Sequence, residues 1–149
     1  MGRRSIGIGL VVVSIVLMAG TALGTAGSGV TPVVIGSGRI NHDVGISQAA
    51  GESTVIAEFT VAPGGTTGWH SHPGKTVVVV AEGEFTLYRD KGGSCQTRTY
   101  GPGDGFVEKR TSVHMGVNEG SDPVVLGVAF FRVPTDGTTR IDKPDPGVC

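Results

Sequence analysis

The sequence has few charged and few aromatic side chains. Charged residues make up 17% of the 149 residues, and aromatic residues make up 5%. The 12 basic residues are balanced by 13 acidic residues. Domains that bind nucleic acids through their surface charge show a clear basic excess. We therefore expect no nucleic-acid partner.

The sequence also has no internal repeat of fixed length and, beyond residue 26, no sustained helical period. Glycine, in contrast, is abundant, with 26 residues. An interior glycine costs a helix about 1 kcal/mol relative to alanine, and collagen is excluded because these glycines do not recur at every third position. A hydrophobic fraction of 38% and a formal net charge of −1 disfavour disorder. We therefore expect one small all-β domain with tight turns.

The N-terminus has the three parts of a secretory signal. Arg3 and Arg4 precede an apolar run over residues 6–18, and small residues follow as far as Ala26. This pattern predicts a signal peptide over residues 1–26, which is cleaved from an exported protein that is secreted or held in the cell envelope. After cleavage we expect no stable membrane insertion. The alternative is an uncleaved membrane anchor, since residues 6–23 are just long enough to span a bilayer.

The chain contains two cysteines, Cys95 and Cys149. An even number of cysteines in an exported protein indicates a disulfide. A Cys95–Cys149 bond would attach the C-terminal tail to a hairpin loop. The alternative is a pair of free thiols, which is typical of the cytoplasm rather than of exported proteins.

Short apolar segments separated by glycine-rich turns predict several β-strands. Val55, Ala57, Phe59 and Val61 alternate with polar residues, as in a half-buried strand. Residues 76–81 are mostly β-branched and continuous, as in a strand that is buried on both faces. Further strands are predicted over residues 84–89, 96–100, 113–117 and 124–133. Strands of this length and spacing are typical of a β-sandwich or β-barrel.

Three histidines form the strongest candidate for a functional site. His70 and His72 are two residues apart, so in a strand both imidazoles lie on the same face. His114 lies near the start of a later strand, and antiparallel pairing could bring it opposite that pair. Asn118 lies four residues beyond His114 and shares its face in a regular strand. Neutral imidazoles are common metal ligands, so the pattern predicts a three-histidine metal site.

The segments around these histidines resemble the two sequence motifs of the cupin superfamily. The first motif has a glycine, an H-x-H pair and a closing glycine, and the second has a glycine, a histidine and an asparagine. Seven positions match these motifs at the family's spacing, namely Gly64, His70, His72, Gly83, Gly103, His114 and Asn118. The resemblance implies a double-stranded β-helix, or jelly-roll, barrel.

On this basis we divide the chain into four segments. Residues 1–26 are the signal peptide, residues 27–51 an N-terminal arm, residues 52–134 the cupin barrel and residues 135–149 an irregular tail. Cupins often form dimers through sheet or arm exchange, so the resemblance also implies that residues 27–51 could serve in a homodimer.

The sequence departs from the family pattern at three positions. Thr76 stands where cupins have a metal-binding glutamate, and Lys109 and Thr111 replace the proline and glycine of the second motif. Three-histidine sites occur among cupins that bind a divalent metal, so the resemblance still implies one ion of Fe, Mn, Ni, Cu or Zn. Thr76 and Asn118 are then expected beside the ligands, with Thr76 bonded to a metal-bound water. Glu108 would supply a substitute carboxylate if its strand were bulged.

These features predict a protein that binds a divalent metal and a small molecule inside its barrel. Its reaction remains open, and no catalytic residue is assigned. One alternative is a metal-dependent enzyme acting on a small organic substrate, either a dioxygenase, which is the first expectation, or an isomerase or hydrolase. The other alternative is a non-catalytic ligand-binding or structural cupin without metal. The missing glutamate disfavours the catalytic alternative, since carboxylates often serve as ligands or bases.

Overall fold

The computed structural model describes residues 34–149. The predicted signal peptide and the first residues of the arm lie outside this range. The described part of the chain forms nine β-strands and no helix, so none of its segments is a helix that could cross a membrane. In chain order the strands are β1 (Ser53–Val61), β2 (His70–Ser71), β3 (Thr76–Glu82), β4 (Phe85–Asp90), β5 (Cys95–Tyr100), β6 (Gly105–Glu108), β7 (His114–Val117), β8 (Val124–Val133) and β9 (Ile141–Asp142).

The strands form two antiparallel sheets. One sheet has four strands in the order β1-β8-β3-β6, and the other has five strands in the order β5-β4-β7-β2-β9. Strands that are distant in the sequence are neighbours in both sheets, as in a double-stranded barrel. The predicted all-β jelly-roll fold is therefore confirmed.

The hydrophobic core lies between the two sheets. Because side chains alternate along a strand, Val78 and Val80 of β3 are buried with Thr76, whereas Val77 and Val79 are half-buried. The prediction that β3 is buried on both faces is thus met on one face only. On the outer face, Val79 lies beside Gly36 of the arm. The remaining core side chains are Phe85, Leu87, Tyr100, Phe106, Val124, Leu126, Val128, Phe130 and Val133.

Strand β1 shows the alternation that the sequence predicts. Val55, Ala57 and Val61 are partly buried and pack against the core. Phe59 lies on the same face but remains 44% exposed, because it lines an open cavity inside the barrel. This cavity also contacts the histidine cluster that is described below.

The C-terminal tail returns to the barrel. Its short strand β9 pairs with β2, with Asp142 opposite His70, and the Lys143 amide donates to the Trp69 carbonyl over 3.0 Å. The predicted Cys95–Cys149 disulfide is confirmed, and it attaches the end of the tail to the start of β5. The tail expected to be irregular is therefore part of the wall beside the histidines.

Candidate metal centre

Antiparallel pairing brings the three predicted histidines together. His70 on β2 is directly opposite His114 on β7, and His72 follows immediately after β2. All three side chains are buried, and one ring nitrogen from each lies within 4.8 Å of those of the other two. Three imidazoles at this spacing could hold one metal ion.

A backbone carbonyl fixes the orientation of each imidazole. A carbonyl oxygen only accepts hydrogen bonds, so the bonded Nδ1 carries the hydrogen and Nε2 of the neutral ring has a free lone pair. The acceptors are Gly68 for His70, Thr139 for His72 and Ser112 for His114, at 2.8, 2.7 and 2.9 Å. Metal-binding histidines in proteins are oriented by the same kind of bond.

A buried carboxylate completes the cluster. The Oε2 and Oε1 atoms of Glu108 lie 2.9 Å from Nε2 of His72 and 3.2 Å from Nε2 of His114. These separations suit hydrogen bonds, but the directions do not, because neither nitrogen has a partner with hydrogen-bond geometry within residues 34–149. The nitrogen and oxygen atoms are therefore close neighbours that do not point along a common bond.

The protonation states at the site suit cation binding. Burial is the main cause that lowers the pKa of His70, to about 4, so this imidazole is neutral at neutral pH. Burial of Glu108 raises the pKa of its carboxyl, but the adjacent imidazoles of His114 and His72, when protonated, more than offset this effect and hold the pKa at about 2. Glu108 is therefore ionised when a cation, either a proton on these rings or a metal ion, lies beside it.

These donor groups fit a divalent transition metal. A neutral lone pair beside a carboxylate oxygen is favourable only when a cation lies between them, and this cation is either a proton or a metal ion. Imidazole nitrogens suit Fe, Ni, Cu and Zn, and a carboxylate is also a ligand for Mn. The donor set does not by itself select one of these metals.

Thr76 lies on the strand beside Glu108. Its side chain is 1% exposed, and its Oγ1 has no hydrogen-bond partner within the described residues. In the pairing of β3 with β6, Thr76 is directly opposite Glu108. The hydroxyl is thus a buried polar group next to the cluster, and such groups in native proteins normally have a partner.

Asn118 has a different environment. Its side-chain nitrogen donates to the carbonyls of Val61 and Asp122 at 2.9 and 2.8 Å, and its side-chain oxygen accepts from the Gly120 amide at 3.0 Å. These three bonds hold the turn between β7 and β8 against the end of β1. In this arrangement the side chain of Asn118 stabilises that turn.

A small cavity adjoins the histidine cluster inside the barrel. Its volume is about 160 Å³, and most of its walls are apolar. The lining residues include His70, His72, Glu108, Phe59, Phe85, Leu126, Phe130, Thr139 and Arg140.

The sequence alone does not predict that two of these lining groups, the Glu108 carboxylate and the Thr139 carbonyl, lie at the site. The Glu108 carboxylate reaches the cluster from a regular strand with no bulge, because Glu108 shares the buried face of β6 with Phe106. The alternation of Phe106 and Glu108 is the signal that could have placed this carboxylate inside. The Thr139 carbonyl is a backbone group, and the side-chain pattern carries no signal for it.

The protein is therefore a double-sheet β-barrel in which three imidazoles and a carboxylate point inward and could hold a metal ion. A model of the cupin domain matches residues 57–131, about half of the chain. The chain belongs to the cupin family.

The germin-like protein 4-1 of Oryza sativa subsp. japonica is 32% identical over 118 residues. The match covers 74% of this chain but only 43% of that relative. Among solved structures, an oxalate oxidase is 26% identical, with a TM-score of 0.52 over 60% of this chain and 45% of its own. A cupin superfamily protein from Desulfitobacterium hafniense DCB-2 is 17% identical, with a TM-score of 0.47 over 64% and 82% of the two chains.

Proposed function

We propose that this chain is an exported cupin that binds one divalent metal ion through His70, His72 and His114 and takes a small organic molecule into the adjacent cavity. The orientation of the imidazoles carries this proposal. A carbonyl occupies each Nδ1, which leaves all three Nε2 lone pairs available to one ion.

The cavity limits the size of the organic ligand. Its volume of about 160 Å³ is close to the roughly 150 Å³ of an engineered protein cavity that binds benzene. Apolar walls formed by Phe85, Leu126 and Phe130 favour an apolar part of the ligand. Arg140 also lines the cavity, and within the described residues only its Nε is paired, with Oδ1 of Asp142 over 2.6 Å. A compact molecule with an apolar part and an anionic group fits these walls.

The chain contributes the environment for any chemistry at the site. The three histidines would hold the metal ion, which when bound would supply Lewis acidity and an open coordination position. The aromatic and aliphatic walls of the cavity would shield the apolar part of the ligand from water, and a lower local dielectric strengthens charge interactions there. Arg140 would orient an anionic group of the ligand.

The Cys95–Cys149 disulfide supports the proposed export. Disulfides persist in oxidising environments outside the cytoplasm and are rare inside it. We therefore assign the metal-binding form to the secreted or cell-envelope protein.

The metal content of the native protein tests the proposed function. We expect about one ion of Fe, Mn, Ni, Cu or Zn per chain after purification without a histidine tag, measured by inductively coupled plasma mass spectrometry. The double variant His70→Ala/His72→Ala should lose this metal, because two of its three imidazole ligands are gone. His42→Ala is the matched control, since this histidine is exposed in the arm.

Metal-free native protein that also takes up none of these ions on titration would overturn the proposal. The same conclusion would follow if the double variant bound metal as tightly as the wild type.

A second candidate function is a metal-dependent oxidative enzyme. The likeness to an oxalate oxidase, at 26% identity and a TM-score of 0.52, favours it. Oxygen uptake by the Fe- and Mn-loaded protein, with oxalate, small thiols and diketones as substrates, separates an enzyme from a binding protein. Turnover that disappears in His70→Ala/His72→Ala supports the enzyme, and a metal-loaded protein without turnover of any of these compounds supports the binding protein.

A further inference from the structure

We propose that Glu108 is the carboxylate ligand of the metal. Thr76 stands at the position where cupins have a metal-binding glutamate, and Glu108 supplies the equivalent carboxylate from the neighbouring strand. The inference rests on the proposed metal function, and it adds a fourth protein ligand that the three-histidine motif does not contain. It follows from the strand register, from the contacts of Glu108 and from the unpartnered atoms around it.

The register places the two residues side by side. Strands β3 and β6 pair without a bulge, and Thr76 is directly opposite Glu108. Residues directly opposite in an antiparallel pair point to the same face, with Cβ atoms about 4.5–5.5 Å apart. A glutamate at either position can therefore direct its carboxylate into the same part of the barrel.

The contacts of Glu108 show where that carboxylate points. Its two oxygens lie 2.9 and 3.2 Å from Nε2 of His72 and His114, and its side chain is only 8% exposed. A carboxyl group at this depth is costly to bury without a hydrogen-bonded or cationic partner. In His72 and His114 the Nδ1 atom carries the ring hydrogen and donates it to a carbonyl. While each ring is neutral, its Nε2 atom therefore has no hydrogen to donate to the Glu108 carboxylate.

The directions of the contacts favour a metal ion over a shared proton. A proton shared between Glu108 and an imidazole would lie along a nitrogen–oxygen line with hydrogen-bond geometry. Neither Nε2 has such a partner in the described part of the chain. Ligand atoms around a common ion show this arrangement, since they lie close together but form no hydrogen bonds with one another.

Thr76 fits the vacated ligand position. Its hydroxyl is buried beside the cluster, and the described residues offer it no hydrogen-bond partner. A threonine is shorter than a glutamate by the length of a carboxylate arm, so it leaves room for the side chain that enters from β6. The donor set is then three imidazoles and one carboxylate, with the carboxylate on the second strand.

Relocation of the carboxylate gives a direct test. The metal affinities of the wild type, Glu108→Gln and the exchange variant Thr76→Glu/Glu108→Thr are measured by titration with Zn²⁺ and Mn²⁺. The fluorescence of Trp69, which precedes His70, reports binding. We expect Glu108→Gln to bind at least about 100-fold more weakly, since even outer partners of ligands contribute 10–100-fold. The exchange variant should recover to within about tenfold of the wild type, because the opposite position restores the same donor.

A matched control removes the effect of net charge. Glu58→Gln also loses a glutamate, but from the exposed face of β1. It should bind within about threefold of the wild type, because it changes no ligand.

The outcomes distinguish this inference from the proposed function. If Glu108→Gln binds as tightly as the wild type while His70→Ala/His72→Ala does not bind, Glu108 is not a ligand and the three-histidine site stands. A wild type that takes up no metal overturns both. Should the variants fail to fold, a crystal structure of the Zn²⁺-loaded wild type decides: a Glu108 oxygen about 2.0–2.2 Å from the ion supports the inference, and a longer separation overturns it.

Discussion

At the scale of single residues, Gly74 controls how the chain leaves the histidine pair. It lies in the short loop between His72 and β3, where the Phe131 amide donates to the Lys75 carbonyl over 3.0 Å. A Cβ on Gly74 would overlap the Phe131 carbonyl oxygen and would lie 2.7 Å from Cβ of Arg132. Both neighbours belong to β8 and cannot move without distorting that strand.

We therefore predict that Gly74→Ala lowers the free energy of unfolding by about 1–3 kcal/mol, as other overpacked sites do. Urea unfolding followed by Trp69 fluorescence measures the change, because Trp69 is the single tryptophan and is only 9% exposed.

Gly101→Ala is the matched control for this prediction. A Cβ at Gly101 meets no atom within 4 Å, so the change should stay within about 0.5 kcal/mol. If Gly74→Ala were as stable as the wild type, β8 would be able to shift and make room for the added Cβ, and the prediction would be wrong.

The same scale shows what residue spacing can and cannot predict about the site. The positions of His70, His72 and His114 follow from the alternation of side chains along strands, and the structure brings these residues together. Residue spacing does not place Glu108 in the site, because its position depends on the strand with which β6 pairs. Strands β3 and β6 are separated by two further strands in the chain, and sequence spacing does not specify the register of such a pair.

At the scale of secondary-structure elements, the tail links the disulfide to the site. It carries Thr139, whose carbonyl orients His72, and β9, which pairs with β2. Its last residue, Cys149, is bonded to Cys95 at the start of β5. Loss of the disulfide should therefore loosen the elements that hold two of the histidines in place.

We predict that Cys95→Ser/Cys149→Ser lowers the free energy of unfolding by roughly 4 kcal/mol, the value for a loop closed by residues 54 apart. Metal affinity should fall by about 10-fold as well, since His72 loses a fixed partner for its Nδ1. Urea unfolding and metal titration measure the two effects.

Reduction of the wild type with a phosphine provides the control. It should reproduce both changes and should leave the serine variant unaffected. If the serine variant had reduced stability but unchanged metal affinity, the tail would not be needed to hold the histidines in place, and the second part of the prediction would be wrong.

The elements also differ in how far their sequences specify them. The β-branched run of β3 and the apolar run of β8 predict strands directly, and β8 covers the predicted residues 124–133. Strand β9 has only two residues, and it forms because β2 offers an unpaired edge. Such a strand depends on its partner, so its own sequence cannot predict it.

At the scale of the whole molecule, the site lies where the two sheets meet. His70 and His114 belong to the five-stranded sheet, and Glu108 belongs to the four-stranded sheet. A metal ion held by both sets of ligands would connect the sheets in the folded state and would be lost on unfolding. Binding to the native state alone raises the stability of the whole domain.

We predict a stabilisation of about 2.7 kcal/mol at a free metal concentration 100 times the dissociation constant. For a domain of this size it should raise the Tm by roughly 10 °C. Scanning calorimetry of the wild type with Zn²⁺ or Mn²⁺, before and after addition of EDTA, measures the shift.

His70→Ala/His72→Ala should show no shift, and Glu108→Gln should show a smaller one. A Glu108→Gln shift equal to that of the wild type would mean that the metal contacts one sheet only.

The pairing of Thr76 with Glu108 has a consequence for protein engineering. Any two facing positions on the inner wall of this barrel are alternative attachment points for one donor atom, even when they are 32 positions apart in the chain, as 108 − 76 gives. A library that exchanges residues between such partners would vary the angle at which a ligand approaches the ion while keeping the ligand's identity. Metal selectivity could then be tuned by choice of strand, without altering the set of amino acids that binds the metal.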